Sequence, residues 1–217
     1  MLSDAQSTSR AVVDLGRIGY RAGLEEQRRH AERRLAGGIG DTLLLCEHPP
    51  VYTLGTGADS DHVLASEAEL LRRGVEVHSC NRGGEVTWHG PGQIVGYVIA
   101  DLRPRGKDLH RFCRDLEEIM IRALADFGLT GARDEGSTGV WLGREKVGAL
   151  GVHVRKWVTT HGFALNVACD LAAYDGIIPC GIFDRGVTTM EKALAHAVDV
   201  QSVRASLARH FEEIFVG

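Results

Sequence analysis

The chain has 217 residues, a formal net charge of -4 and an apolar fraction of 44%. That length suits one domain with a substantial core, and the mildly acidic balance argues against a general nucleic-acid binder, which is normally basic. No apolar run approaches membrane-spanning length and residues 1–10 are polar, so a soluble cytoplasmic protein is expected, without nucleic-acid or membrane partners.

Residues 1–10 read as a disordered tail and residues 11–217 as a single domain without linker or repeat. Ala11 to Leu15 predicts a short strand. Tyr20, Leu24, Ala31 and Leu35 recur near helical spacing, predicting an amphipathic helix that ends at Gly37-Gly38. Thr42 to Cys46 is short and apolar, as a buried strand is, and His48-Pro49-Pro50 stops it before extended structure resumes over Val51 to Leu54. Ser66 with Glu69 has capping-box spacing and starts a helix that Gly74 ends. Val75 to Ser79 alternates as a strand, a glycine-rich run follows, and Gln93 to Ala100 reads as the next strand.

Leu109, Phe112, Cys113, Leu116, Ile119, Met120, Leu124 and Phe127 mark the clearest helix, closed by Gly128. Thr138 to Leu142, Lys146 to Val154 and Thr160 to Val167 form an antiparallel meander with turns at Gly143-Arg144 and near Lys156-Trp157. Val203, Leu207, Phe211 and Ile214 line a last helix within Asp199 to Phe215. Helices and strands mix without regular βαβ alternation, so the expected class is α+β, with helices packed on a mixed sheet.

The chemistry centres on Cys180 and Lys146, 34 residues apart. A cysteine attacks as the thiolate, and a nearby ammonium stabilises that thiolate and holds a proton for a departing group. Gly181 leaves room for a carbonyl to lie against the backbone, where N–H groups can stabilise an oxyanion. The bland alternatives are that Cys180 is a small buried hydrophobe and Lys146 an exposed residue of a hairpin. The five cysteines, Cys46, Cys80, Cys113, Cys169 and Cys180, are odd in number and lack C-x-x-C spacing, which indicates neither a disulfide framework nor a zinc knuckle. The histidines and Cys80 lack metal-ligand spacing, so no metal site is expected.

Four segments carry a pattern in order and spacing: Arg82-Gly83-Gly84-Glu85-Val86-Thr87-Trp88-His89-Gly90-Pro91-Gly92-Gln93, Lys146 to Gly151, His161-Gly162-Phe163-Ala164-Leu165-Asn166, and Pro179-Cys180-Gly181. Together they resemble the lipoyl (octanoyl) transferase family, over nearly the whole chain. The resemblance implies the fold of the biotin and lipoate protein ligase catalytic domains. It also implies that Arg82, Gly83, Gly84, Glu85, Val86, Thr87, Trp88 and His89, with Ala149, Leu150, Gly151, Gly162, Phe163 and Ala164, contact an acyl substrate. Trp88 and Tyr174 stand where the family commonly has tyrosine and phenylalanine.

The implied reaction moves an octanoyl or lipoyl group, through a Cys180 thioester, from the phosphopantetheine of acyl carrier protein to a lysine ε-amine. The acceptors are the lipoyl domains of 2-oxoacid dehydrogenase complexes and the glycine cleavage H protein, and a monomer is expected. The donor thioester already carries the activation, so neither ATP nor a metal is required. A basic surface including Arg82, Arg155 and Lys156 is expected to receive the acidic carrier protein. The rivals are an ATP-dependent lipoate or biotin ligase on the same fold, a non-catalytic acyl-carrier-binding module and a metal-dependent hydrolase.

Overall fold

The computed structural model describes residues 11–178 and 185–215. In chain order the elements begin with β1 (Ala11–Arg17), α1 (Tyr20–Leu35), β2 (Thr42–Glu47), β3 (Val51–Leu54), α2 (Glu67–Arg73), β4 (Glu76–Ser79) and β5 (Val86–His89). They continue with β6 (Gln93–Ile99), α3 (Leu109–Asp126), β7 (Val140–Leu142), β8 (Glu145–Arg155), β9 (Val158–Asn166), α4 (Met190–Leu194) and α5 (Val200–Phe215). The α+β class holds, and the strands divide between two mixed sheets. A six-stranded sheet runs β1-β2-β6-β9-β8-β7 and a three-stranded sheet runs β4-β3-β5.

Strand alternation sorts the large sheet into two faces. Leu43, Leu45, Ile94, Val98, Phe163 and Leu165 face the main core, where the apolar stripes of α3 and α5 close over them through Phe112, Leu116, Met120, Leu207 and Phe211. The opposite residues Leu44, Cys46, Val95, Tyr97 and Ala164 face the other way, partly under Ala31 and Leu35 of α1. Local signals set several boundaries. Ser66 caps α2 by accepting the Glu69 N–H at 3.3 Å, and Gly74 ends it in the left-handed conformation.

Two elements depart from expectation. The glycine-rich run contains β5, which pairs antiparallel with β3 and aligns Tyr52 with Trp88. A strand of four residues gives little alternation to read, and the pairing partner lies far away in sequence. The buried face of α1 is Tyr20, Gly23, Gln27 and His30, while Leu24, Ala31 and Leu35 are only partly covered. That helix lies on polar groups of the sheet: the side-chain Oε1 of Gln27 accepts the His161 backbone N–H at 2.7 Å. At Gly23 a Cβ would sit 3.1 Å from His48, so only glycine lets the helix come this close without displacement.

Candidate active site

Two connected cavities lie between the open face of the large sheet and β5. The first is walled by Gly84, Thr87 and His89 on one side and by Ala149, Gly151, Gly162 and Ala164 on the other. Its remaining lining is Tyr20, Arg82, Val95, Tyr97, Leu150, His161 and Phe163. The second shares Thr87, Ala149 and Ala164 with the first and adds Lys146, Asn166, Tyr174 and Arg185. Ala149 pairs directly with Ala164, and Ala164 with Val95, so small side chains across three neighbouring strands leave the slot.

Ten of the 14 residues expected to contact substrate line the first cavity; Gly83, Glu85, Val86 and Trp88 do not. The reason is the period of two along β5. Thr87 and His89 face the slot, whereas Val86 and Trp88 point into a separate cluster with Tyr52 and Tyr174. Trp88 and Tyr174 meet edge-on with ring centroids 5.5 Å apart. Gly83 donates its N–H to the Val152 carbonyl at 2.9 Å, joining the glycine-rich run to β8. Glu85 lies 3.6 Å from His62.

Arg82 takes a different role from the surface contact expected. It is 7% exposed. Its guanidinium donates to the carbonyls of Thr53 at 2.7 Å, Glu85 at 2.8 Å and Gly83 at 3.1 Å, and to Thr53 Oγ1 at 2.9 Å. The side chain folds the glycine-rich run around itself and is not available to a docking protein. Arg155 lies nine residues along β8 from Lys146, roughly 30 Å at about 3.3 Å per residue, and is likewise remote from the second cavity.

Lys146 is 8% exposed and lines the second cavity, so it is not the solvated hairpin residue of the bland reading. Its Nζ donates to the Thr138 carbonyl at 3.1 Å and Ser137 Oγ at 3.3 Å, and sits 4.8 Å from the centre of the Trp141 ring. The ladder brings it there. Trp141 pairs with Lys146 but Val140 pairs with Gly148, so Val147 is an extra residue, a β-bulge. Were Val147 paired in a regular ladder, Lys146, three residues before Ala149, would face the opposite side of the sheet. The Lys146 backbone also pairs with the returning chain, donating to Gly186 O at 2.9 Å and accepting from Thr188 N at 3.0 Å. Cys180, with Pro179 and Gly181, lies outside the described residues.

Several buried polar groups around the slot satisfy one another. His48 Nδ1 lies 2.7 Å from the Ile18 carbonyl and must donate to it, so its Nε2 accepts the Tyr97 hydroxyl at 2.6 Å. Gln93 Nε2 faces the Trp88 carbonyl at 3.2 Å, which leaves Gln93 Oε1 to accept from His89 Nδ1 at 2.7 Å. His89 is therefore the Nδ1-protonated tautomer, with the lone pair on Nε2. Burial, and then the neighbouring His48, push the His89 pKa down to about 3. Burial and the Arg82 charge push that of His161 down to about 4. Both rings are neutral at pH 7.

Sequence reasoning marked Tyr174 as a residue shaping the pocket but did not assign Tyr20, Val95, Tyr97, Asn166 or Arg185 to the cavities. Asn166 stood within a recognised segment, but the others had only local strand or helix patterns to mark them. Among the described residues no group of three or more His, Cys, Asp or Glu is arranged to hold a metal ion. None of the described helices is long and apolar enough to cross a membrane.

Residues 20–212 match the family described as the lipoyl protein ligase A/B catalytic domain. An octanoyltransferase from Acidobacterium capsulatum is 48% identical over 219 residues, covering 94% of this chain and 89% of that protein. A bi-partite lipoate protein ligase from Thermoplasma acidophilum superposes with a TM-score of 0.74 at 18% identity, covering 95% of this chain and 83% of that one. A biotin protein ligase from Aquifex aeolicus in complex with biotin and ATP gives a TM-score of 0.59 at 15% identity, covering 94% and 69%.

Proposed function

The chain belongs to the lipoyl protein ligase A/B catalytic domain family, and from that premise we propose that it is an octanoyltransferase of protein lipoylation working through a thioester on Cys180. The observation that carries this reading is the junction of the two cavities. The slot between paired alanines and glycines has the apolar, side-chain-poor walls that suit a saturated chain, whose reacting carbonyl would then lie in the cavity that Lys146 lines. Each buried methylene contributes about 0.8 kcal/mol, enough to favour a medium-length chain.

The donor is an octanoyl thioester on the phosphopantetheine of acyl carrier protein. The Cys180 thiolate attacks the carbonyl carbon, the π electrons move to oxygen, and the tetrahedral oxyanion collapses. The bond to the pantetheine sulfur breaks, and that sulfur takes a proton from the Lys146 ammonium. Neutral Lys146 then accepts a proton from the ε-amine of the acceptor lysine. The amide forms, the Cys180 thiolate leaves, and the pair is restored. The acceptors are lipoyl domains of 2-oxoacid dehydrogenase complexes and the glycine cleavage H protein. The donor thioester supplies the driving force, so the reaction asks for no ATP and no metal.

The test is intact-protein mass spectrometry after mixing the chain with octanoyl-acyl carrier protein and no ATP. One octanoyl adduct is expected on the native chain, none on Cys180→Ala and a slowly formed one on Lys146→Ala, with discharge onto a lipoyl domain. Transfer seen only with free octanoate and ATP would make the chain a ligase. Acyl retention unaffected by Cys180→Ala, without turnover, would make it a binding module.

A further inference from the structure

We propose that the Asn166 side-chain amide is a catalytic oxyanion donor, a deduction that rests on the thioester reading above. Asn166 is 4% exposed and forms part of the wall of the same cavity as Lys146. The direction of its amide is determined by backbone groups. Gln93 Nε2 must face the Trp88 carbonyl, so at 2.9 Å it meets the oxygen of Asn166 and not the nitrogen. The hydrogen that Gln93 Nε2 points at Asn166 is shared with the Tyr174 hydroxyl oxygen at 3.1 Å, and that hydroxyl donates to the same Asn166 Oδ1 at 3.2 Å. At the other end Asn166 Nδ2 donates to the Thr188 carbonyl at 3.1 Å. Both ends agree.

Two donors therefore occupy Oδ1 and one carbonyl takes one Nδ2 hydrogen. The second Nδ2 hydrogen has no acceptor among the described residues, although the side chain is buried. An unmet buried donor costs roughly 1–3 kcal/mol, so such a group points to a ligand acceptor. The acceptor this cavity receives is the acyl oxygen. As the Cys180 sulfur adds to the carbonyl carbon, the π pair moves onto that oxygen and strengthens the N–H···O bond. A cross-strand pair, Gln93 on β6 with Asn166 on β9, holds the donor on a rigid strand. Gln93 and Tyr174 are positioning residues, acting only through Asn166.

Octanal and 1-octanol separate this role from a structural one. The native thiol adds across the aldehyde C=O, forming a C–S bond and giving a hemithioacetal whose oxygen occupies the oxyanion position; 1-octanol fills the slot without that oxygen. Inhibition constants for both are measured on the full chain, Cys180→Ala, Asn166→Ala, Asn166→Asp and Tyr174→Phe. The native chain is expected to prefer octanal, and Cys180→Ala to lose the preference. Both Asn166 variants are expected to lose octanal affinity and acylation rate about 10²–10³-fold, the usual effect of deleting one such donor. Their 1-octanol affinity is expected to stay within about threefold, as only uniform binding is then retained.

A preference lost in Cys180→Ala but kept in Asn166→Asp leaves the thioester reading standing and overturns the assignment of Asn166. Absence of any octanal preference in the native chain overturns both. Should the Asn166 variants fail to fold, Tyr174→Phe decides the matter. It keeps the ring and releases one of the two groups holding Oδ1, and an octanal preference unchanged from the native chain sinks the proposal.

Discussion

Glu117 Oε1, buried on α3, accepts the backbone N–H of Gly139 at 3.1 Å, and the carbonyl of the preceding Thr138 accepts Lys146 Nζ. A helix on the far face of the sheet therefore holds the strand-entry loop that aims the proposed general acid. Arg114 and Arg133 bind the other carboxylate oxygen at 2.8 and 3.1 Å, so the carboxylate is fully engaged. We predict that Glu117→Ala lowers stability by about 1–3 kcal/mol, the cost of an orphaned buried N–H, and slows acylation. Glu117→Gln, which keeps an acceptor for Gly139, should be milder on both counts. Urea unfolding and single-turnover acylation measured together test this; equal acylation rates for the two variants would refute the link to Lys146.

The bulge at Val147 gives a second prediction. Exchanging the two residues, Lys146→Val with Val147→Lys, keeps the bulge but puts the ammonium on the face toward α3, away from the cavity. Adduct formation should fall at least about a hundredfold, comparable to loss of a general acid. Val147→Ala, which retains the bulge, should acylate normally. An exchange variant that stays folded by circular dichroism and acylates at the native rate would disprove the role of the bulge.

Arg82 gives a third. Its fork reaches three carbonyls and a hydroxyl in one plane, which an ammonium cannot reproduce. Arg82→Lys should therefore be nearly as destabilising as Arg82→Met, by about 2–4 kcal/mol, because buried carbonyls lose their donors. The salt dependence of the acylation rate should not change in the Lys variant. Rescue of the urea midpoint by lysine would show that charge alone suffices.

The fourth concerns pH. His89 and His161 carry folded-state pKa values of about 3 and about 4, below the ordinary histidine value of 6.5. Above pH 6.5 each ring is neutral in both states and its contribution is fully present. As pH falls below that, the unfolded chain takes up protons that the folded chain refuses, and stability drops until the folded rings themselves titrate. The loss is at most about 1.4 kcal/mol per pH unit for each ring. Urea midpoints between pH 7.5 and 5 should decline steeply, and less so in His89→Asn. A profile for that variant parallel to the native one would contradict the assignment.

Much of this molecule was legible in its sequence wherever the controlling energies are local. Ser66, Glu69 and Gly74 delimit α2 because a cap and a left-handed glycine act within a few residues. The apolar stripe of α3 marks the helix that covers the sheet. The small residues at Ala149, Gly151, Gly162 and Ala164 mark the slot once the two strands are known to be neighbours.

Other features were decided only by the tertiary structure. The bulge exists only relative to the β7 partner, so nothing in Lys146-Val147-Gly148 announces that Lys146 faces the cavity. Thr87 and Trp88 are adjacent in sequence, yet one meets the slot and the other a separate core, because β5 lies on β3 in one register. Arg82 reads as a surface charge until Thr53, 29 residues away, supplies its acceptors. Sequence by itself determined the local elements and the residue types available for the chemistry. Long-range pairing determined which face each residue took and which buried polar atoms met, because those energies depend on contacts between segments far apart in the chain.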